Sequence, residues 1–199
     1  NNPRQINRVP IEADSIQVQG NYLYSTIGEI GLLAYDISNL ASPALVSKTP
    51  FPMGIPRGLS VDGKWAAGIS NSPYSISIFD ISNPQKPIAM QSYKYEKYPN
   101  SVTIKDNYAY VARAEDGVDI IKINEDGSLE LVNNIPSNGR YIHYAAISGN
   151  KAFVLKDGAD VYDISDPKNP IFLNHINNNG QAAMADIDKG YVYFADGYA

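Results

Sequence analysis

One segment recurs along the chain at a nearly fixed interval. Ile16-Gln17-Val18-Gln19-Gly20-Asn21-Tyr22-Leu23-Tyr24 is answered by Leu59-Ser60-Val61-Asp62-Gly63-Lys64-Trp65-Ala66-Ala67. Val102 to Tyr110 and Ala145 to Phe153 repeat it, and Ala185 to Tyr191 opens a fifth copy. The central apolar residue falls at 18, 61, 104, 147 and 187, so the steps are 43, 43, 43 and 40 residues. Such a period means that each copy is one small unit, which buries its apolar face only by stacking against the next.

Within a copy, apolar and polar residues alternate with period two between turn residues. In the first copy Ser15 to Gln19 reads as a strand, and Gly20-Asn21 as a tight turn whose residues tolerate positive φ. Tyr22 to Ile27, Gly31 to Ile37 and Ala44 to Thr49 read as the second, third and fourth strands. No helical periodicity is present. A repeat of about 40–50 residues holding four strands predicts a blade of an all-β propeller.

A second marker separates strands three and four: Asp36-Ile37-Ser38-Asn39, Asp80-Ile81-Ser82-Asn83-Pro84 and Asp163-Ile164-Ser165-Asp166-Pro167. Its Asp, Ser and Asn side chains are suited to bond nearby backbone groups and close the turn. Pro43, Pro87 and Pro170 then enter the next strand, where no ladder N–H is needed. The third copy reads Lys122-Ile123-Asn124-Glu125-Asp126-Gly127, so the blade does not depend on the leading Asp. The spaced Asp residues lack the dense oxygen ladder that calcium requires.

These residues resemble the LVIVD repeat, a propeller blade of exported bacterial and archaeal proteins. Gly20-Asn21-Tyr22-Leu23-Tyr24, Asp106-Asn107-Tyr108-Ala109-Tyr110-Val111, Gly31 to Asn39 and Asp80 to Pro84 carry the likeness, which extends over nearly the whole chain. The resemblance implies an extracellular, cell-surface or periplasmic protein. It brings no catalytic motif to transfer. The Trp-Asp dipeptide of WD40 blades is absent from the sequence.

One propeller domain is expected over residues 1–199, with blades at 13–50, 56–94, 99–136 and 142–177 and a partial blade at 183–199. Asn2 to Val9 align with Asn169 to Ile176, and residues 1–9 read as a lone fourth strand. Two arrangements stay open. The chain is a piece of a ring of about six to eight blades, or five blades close on themselves with the N-terminal strand in the last one. An open edge would also allow a homodimer. The chain starts at Asn1 with no signal peptide, as in a mature chain or a fragment.

Composition excludes several functions. Lys+Arg 16 against Asp+Glu 21 gives a net charge of −5, which argues against a nucleic-acid partner. Zero Cys removes thiolate catalysis, disulfides and Cys-ligated zinc. No apolar run approaches the ~20 residues of a transmembrane helix. No Gly-rich phosphate loop precedes a helix and no Gly-x-Ser-x-Gly elbow occurs, so no cofactor is expected.

In a propeller, the loops before strand one and between strands two and three share a face. Asp14, Arg57, Asn100 and His143, spaced by 43, are expected just before strand one, around the channel mouth, with Ala183 as the fifth. Phe51, Tyr74, Tyr95, Tyr98 and Tyr141 fall in loops of the same face. Tyrosine presents rigid area with a polar tip, which suits proteins and sugars alike. Metal sites draw on several ligands, so the single His143 makes a poor one. The expected function is therefore a non-catalytic binding or scaffold module with a protein or glycan partner. The alternative is a hydrolase-type site on His143, Asp14, Asn100 and Arg57, which requires a carboxylate beside His143.

Overall fold

A computed structural model describes residues 5, 13–177, 182–188 and 191–196. The expected lone strand at residues 1–9 lies outside them except for Gln5. The described residues form β-strands and connecting turns.

The first sheet holds β1 (Ser15–Gln19), β2 (Tyr22–Ile27), β3 (Gly31–Asp36) and β4 (Ala44–Thr49). The second holds β5 (Ile55–Asp62), β6 (Trp65–Asn71), β7 (Ser75–Asp80) and β8 (Ile88–Lys94). The third holds β9 (Ser101–Lys105), β10 (Tyr108–Ala112), β11 (Val118–Ile123) and β12 (Leu129–Ile135). The fourth holds β13 (Tyr144–Ser148), β14 (Lys151–Lys156), β15 (Gly158–Asp163) and β16 (Ile171–Ile176). Last comes the hairpin β17 (Ala182–Asp188) and β18 (Tyr191–Asp196). Each four-stranded sheet is an antiparallel meander in chain order. These four blades and the hairpin are the repeat copies that the period predicts. The third strand of copy one stops at Asp36, because the Ile37 N–H leaves the ladder and donates to Asn21 O at 2.8 Å.

The same local chemistry recurs in every blade. Ile81, Ile123 and Ile164 N–H donate back to the first hairpin turn as Ile37 does. The Asp36, Asp80 and Asp163 carboxylates each accept the backbone N–H two residues on, all at 2.8 Å. Asp126 takes this part in blade three, accepting from Ser128 N–H at 2.9 Å. The markers are therefore turn-closing residues, as their side chains suggested. Strand three opens on Gly31 in blade one and Gly158 in blade four, and Gly117 immediately precedes it in blade three, all at positive φ. A Cβ there would lie 2.2–2.3 Å from a carbonyl oxygen of strand four or its end, so only glycine lets the two strands meet. Each pair of strands three and four then carries a bulge, which twists the outer strand away.

The first strands β1, β5, β9, β13 and β17 follow one another around a common axis. They enclose a cavity of about 210 Å³ to which every copy contributes, with Gln17, Ser60, Thr103, Ala146 and Asp186 among its lining residues. Cross-blade bonds tie the inner strands together: Ile104 N–H to Ser60 Oγ at 2.9 Å and Thr103 Oγ1 to Ala145 O at 2.7 Å. The core consists of the layers between blades. Tyr24, Leu32 and Ala34 of blade one meet Leu59, Ala66 and Phe79 of blade two. Trp65, Ile69, Ile76 and Ile78 meet Val102, Ile104, Val111 and Ile121. Tyr110, Ile120 and Ile135 meet Ala145, Val154 and Tyr162. Each large apolar side chain so covered contributes about 1.5–3 kcal/mol. Rigid layers of this kind hold the connecting loops in fixed positions.

Candidate functional site

Two sets of loops share one face. Bonds between the sets show it: Gly28 N–H donates to Asp14 Oδ2 at 2.9 Å, Tyr95 N–H to Tyr74 O at 2.8 Å, and Ile142 N–H to Ala114 O at 3.0 Å. Lys97 Nζ likewise reaches Asp116 Oδ1 at 2.8 Å. The loops after strand four are thus buttressed by the loops between strands two and three.

On this face a groove of about 720 Å³ opens between Ser72, Pro73, Tyr74, Lys94, Tyr95 and Glu96. Tyr98 extends this lining by packing against Tyr74, with ring centroids 5.7 Å apart and planes at 72°. Both rings are exposed. Two residues beyond Tyr98, Asn100 Oδ1 accepts from the Tyr141 hydroxyl at 3.2 Å. The exposed Tyr141 ring lies 4.8 Å from His143. Asn100 is fixed from below by its own Nδ2, which donates to Ile142 O at 2.7 Å. Tyr74, Tyr98, Asn100, Tyr141 and His143 therefore form one strip across blades two to four.

Three expected site residues are placed differently. Phe51 is in the expected loop, but its ring turns inward and packs 5.0 Å from Phe79, over the space that a Cβ on Gly68 would fill. Apolar burial outcompetes display at this position. Tyr95 is buried beneath the groove, with the Arg113 guanidinium 4.7 Å from its ring centre. Burial, then the Asp119 carboxylate, pushes its hydroxyl well above the ordinary tyrosine range. Arg57 sits inside β5, where a register shift between Pro56 and Gly58 extends the strand beyond the expected start. Arg57 Nη1 reaches Asp14 Oδ1 at 3.4 Å, so those two make an exposed pair of their own. Ala183 falls within β17. Among the described residues, His143 makes no hydrogen bond or ion pair with a carboxylate, and no group of three His, Asp or Glu side chains suits a metal.

A buried polar layer beneath the face was missed by the sequence reading. Asp119, almost fully buried, accepts from Arg113 Nη1 at 2.9 Å and Asn134 Nδ2 at 2.8 Å. One blade on, Asp160 pairs with buried Lys156 and with His175 Nδ1, the latter at 2.7 Å. Blade two has the smaller cluster Ser70–Ser75 with Ser77–Ser92 there, and blade one has Leu33. Arg113 and Lys156 are 43 apart but Asp119 and Asp160 are 41 apart, because the intervening loop is two residues shorter in blade four. A search at one fixed period misses that pairing.

Comparison with known proteins agrees with this architecture. The model of the LVIVD repeat family matches residues 12–49, 54–95, 98–135 and 139–177. No curated protein matches the chain. Among solved structures, a functionally unknown protein from Desulfotomaculum acetoxidans superposes with a TM-score of 0.77 at 16% identity, over 90% of this chain and 62% of its own. The β-propeller domain of Myceliophteria thermophila Cps50 (Swd1) gives 0.67 at 10% identity, over 88% and 58%. A putative 6-phosphogluconolactonase from Bacteroides fragilis gives 0.68 at 14% identity, over 88% and 61%. The chain thus spans about three fifths of the length of these structures. At such identities the likeness concerns the fold alone. With four matched repeats over most of its length and four blades around a common axis, the chain belongs to the LVIVD repeat family and is built as a β-propeller.

Proposed function

We propose that the protein is a non-catalytic binding or scaffold module of an exported or cell-surface protein, and that the loop face receives its partner. The aromatic strip carries this reading: Tyr74, Tyr98 and Tyr141 are exposed on loops that the blade layers and cross-loop bonds hold rigid. Side chains ordered before binding lose little entropy on contact, so such a surface gains affinity without rearrangement. Aromatic residues with a polar tip are the usual anchors of such surfaces. No described helix is long and apolar enough to cross a membrane. The hydrolase alternative has less support, since His143 touches Tyr141 and no described carboxylate lies within hydrogen-bond distance to orient or charge it.

Retention of the protein on cell-envelope material tests the proposal. The double variant Tyr98→Ala/Tyr141→Ala should lose retention. Leu173→Ser, on the exposed outer strand β16, should keep it. Equal retention by both variants would refute the loop face as the partner surface.

A further inference from the structure

The strip carries more than a surface for an unspecified partner. Its groove, about 720 Å³, falls within the roughly 300–1,000 Å³ of small-ligand sites. The Tyr74 ring is part of its lining, and the exposed Tyr98 ring packs against Tyr74 nearly at right angles. Two ring faces at that angle suit a ligand with flat C–H surfaces that turns between successive units.

Most charges around the strip are mutually compensated, and Glu115 adds a further negative one beside Lys97. Arg57 pairs with Asp14, Lys97 with Asp116, Arg113 with Asp116 and Asp119, and Arg140 with Asp157. Inside the groove Lys94 and Glu96 contribute one charge of each sign. A polyanion or a highly charged segment therefore finds little net field to meet.

The remaining polar groups are mixed. Lys94 only donates, the Glu96 carboxylate only accepts, and Asn100 and His143 do both. An extended proline-rich peptide also docks on aromatic grooves, but its backbone offers mainly carbonyl acceptors and few free N–H groups. It would offer the exposed Glu96 carboxylate few donors of its own in exchange for water. A hydroxyl both donates and accepts, and a sugar ring combines hydroxyl edges with apolar faces.

Resting on the loop-face reading above, we infer that the strip from Tyr74 to His143 binds a neutral oligosaccharide. The reducing or non-reducing end lies over the Tyr74–Tyr98 corner and further units run past Asn100 towards Tyr141 and His143.

Calorimetric titration with a panel of neutral hexasaccharides tests this: β-1,4-glucan, α-1,4-glucan, β-1,3-glucan and β-1,4-mannan. At least one should bind, and Tyr98→Ala and Tyr74→Ala should each weaken it about tenfold. Glu96→Gln should weaken it about two- to fivefold, since an amide keeps one acceptor. Circular dichroism and the melting temperature of each variant check the fold, which side chains this exposed do not support. Failure of all four sugars to bind overturns the inference. If decaproline binds instead and Tyr98→Ala abolishes that binding, the ligand class is wrong and the loop face stands. If a sugar binds but neither tyrosine substitution weakens it, both the inference and the loop-face reading fall.

Discussion

The faces between blades and the faces at the two ends of the series have the same sequence pattern and opposite environments. The third residue of strand two is Tyr24, Ala67, Tyr110 and Phe153 in the four blades, and all four are buried against the following blade. Its counterpart in the hairpin, Tyr193, is 57% exposed, and Tyr191 beside it 68%. On the opposite side, Leu59, Val102 and Ala145 are buried against the preceding blade, whereas Ile16, their counterpart in β1, is 55% exposed. A blade's apolar pattern therefore specifies what the blade is ready to stack against. Burial itself belongs to the neighbour, as expected of units whose stability is largely an interface sum.

The sharpest way to break this comparison is to truncate the same repeat position in both environments. Tyr110→Ala should cost about 3–5 kcal/mol, the range for an aromatic removed from a packed layer. Tyr193→Ala should stay within about 0.5 kcal/mol, as exposed substitutions do. Urea midpoints at constant slope measure both. Equal losses would mean that the end faces are covered in solution.

Next comes the layer between blades two and three. Asp119→Ala leaves the Arg113 guanidinium partly buried without its main partner, at a cost approaching the roughly 3–5 kcal/mol of a broken buried pair. Blade one has Ile27 and Leu33 at these two positions, with Leu33 buried. The double variant Arg113→Ile/Asp119→Leu should therefore recover most of the loss, because apolar replacement of a whole buried pair is often neutral. A double variant no better than the single one would show that Asn134 and Asp116 depend on the pair.

A smaller effect is expected from adding one methyl group. At Gly68 a Cβ would lie 2.2 Å from Phe51 Cζ, so Gly68→Ala must displace that ring. The cost should be about 1–3 kcal/mol, the range for overpacking. At Gly28 nothing lies within 4 Å of a built Cβ, so Gly28→Ala should be close to neutral. Thermal melts of the two variants distinguish a sealed interface from an open loop.

Much of the fold was legible because it depends on local signals. Period-two alternation, the Gly20-Asn21 turn and the Asp-Ile-Ser-Asn marker act within a few residues, and they placed the strands of copy one to within a residue. The site was legible only in part. The 43-residue spacing brought Asn100 and His143 to the same face, but spacing does not say which way a side chain turns. Phe51 packs against the core and Tyr95 is buried in it, because burying an aromatic ring outweighs exposing it wherever the loop allows. The Arg113–Asp119 and Lys156–Asp160 pairs were hidden by a two-residue change in loop length. Their partners come from different strands, and that pairing is a tertiary fact.

The smallest effect concerns the turns that close each blade at its rim. The Ser38 hydroxyl and N–H bonded to Asp36 hold its carboxyl below the ordinary range. Ser128 does the same for Asp126, Ser165 for Asp163, and Asn169 with the Lys168 N–H for Asp166. A carboxyl whose pKa is lowered on folding binds fewer protons in the folded than in the unfolded state. Its contribution is complete above the unfolded value of about 4 and disappears as pH falls through the folded one. Melting temperature should thus be flat from pH 7 to 5 as far as these groups matter, and decline below about pH 4. Each of these carboxylates is at the surface, where water screens the gain, so the decline per turn should be slight. In Asp163→Asn the amide oxygen still accepts from Ser165 N–H but does not titrate. The variant's melting temperature should therefore fall less steeply between pH 4 and 3. An unchanged slope would show that the turn holds its shape without the carboxylate's charge.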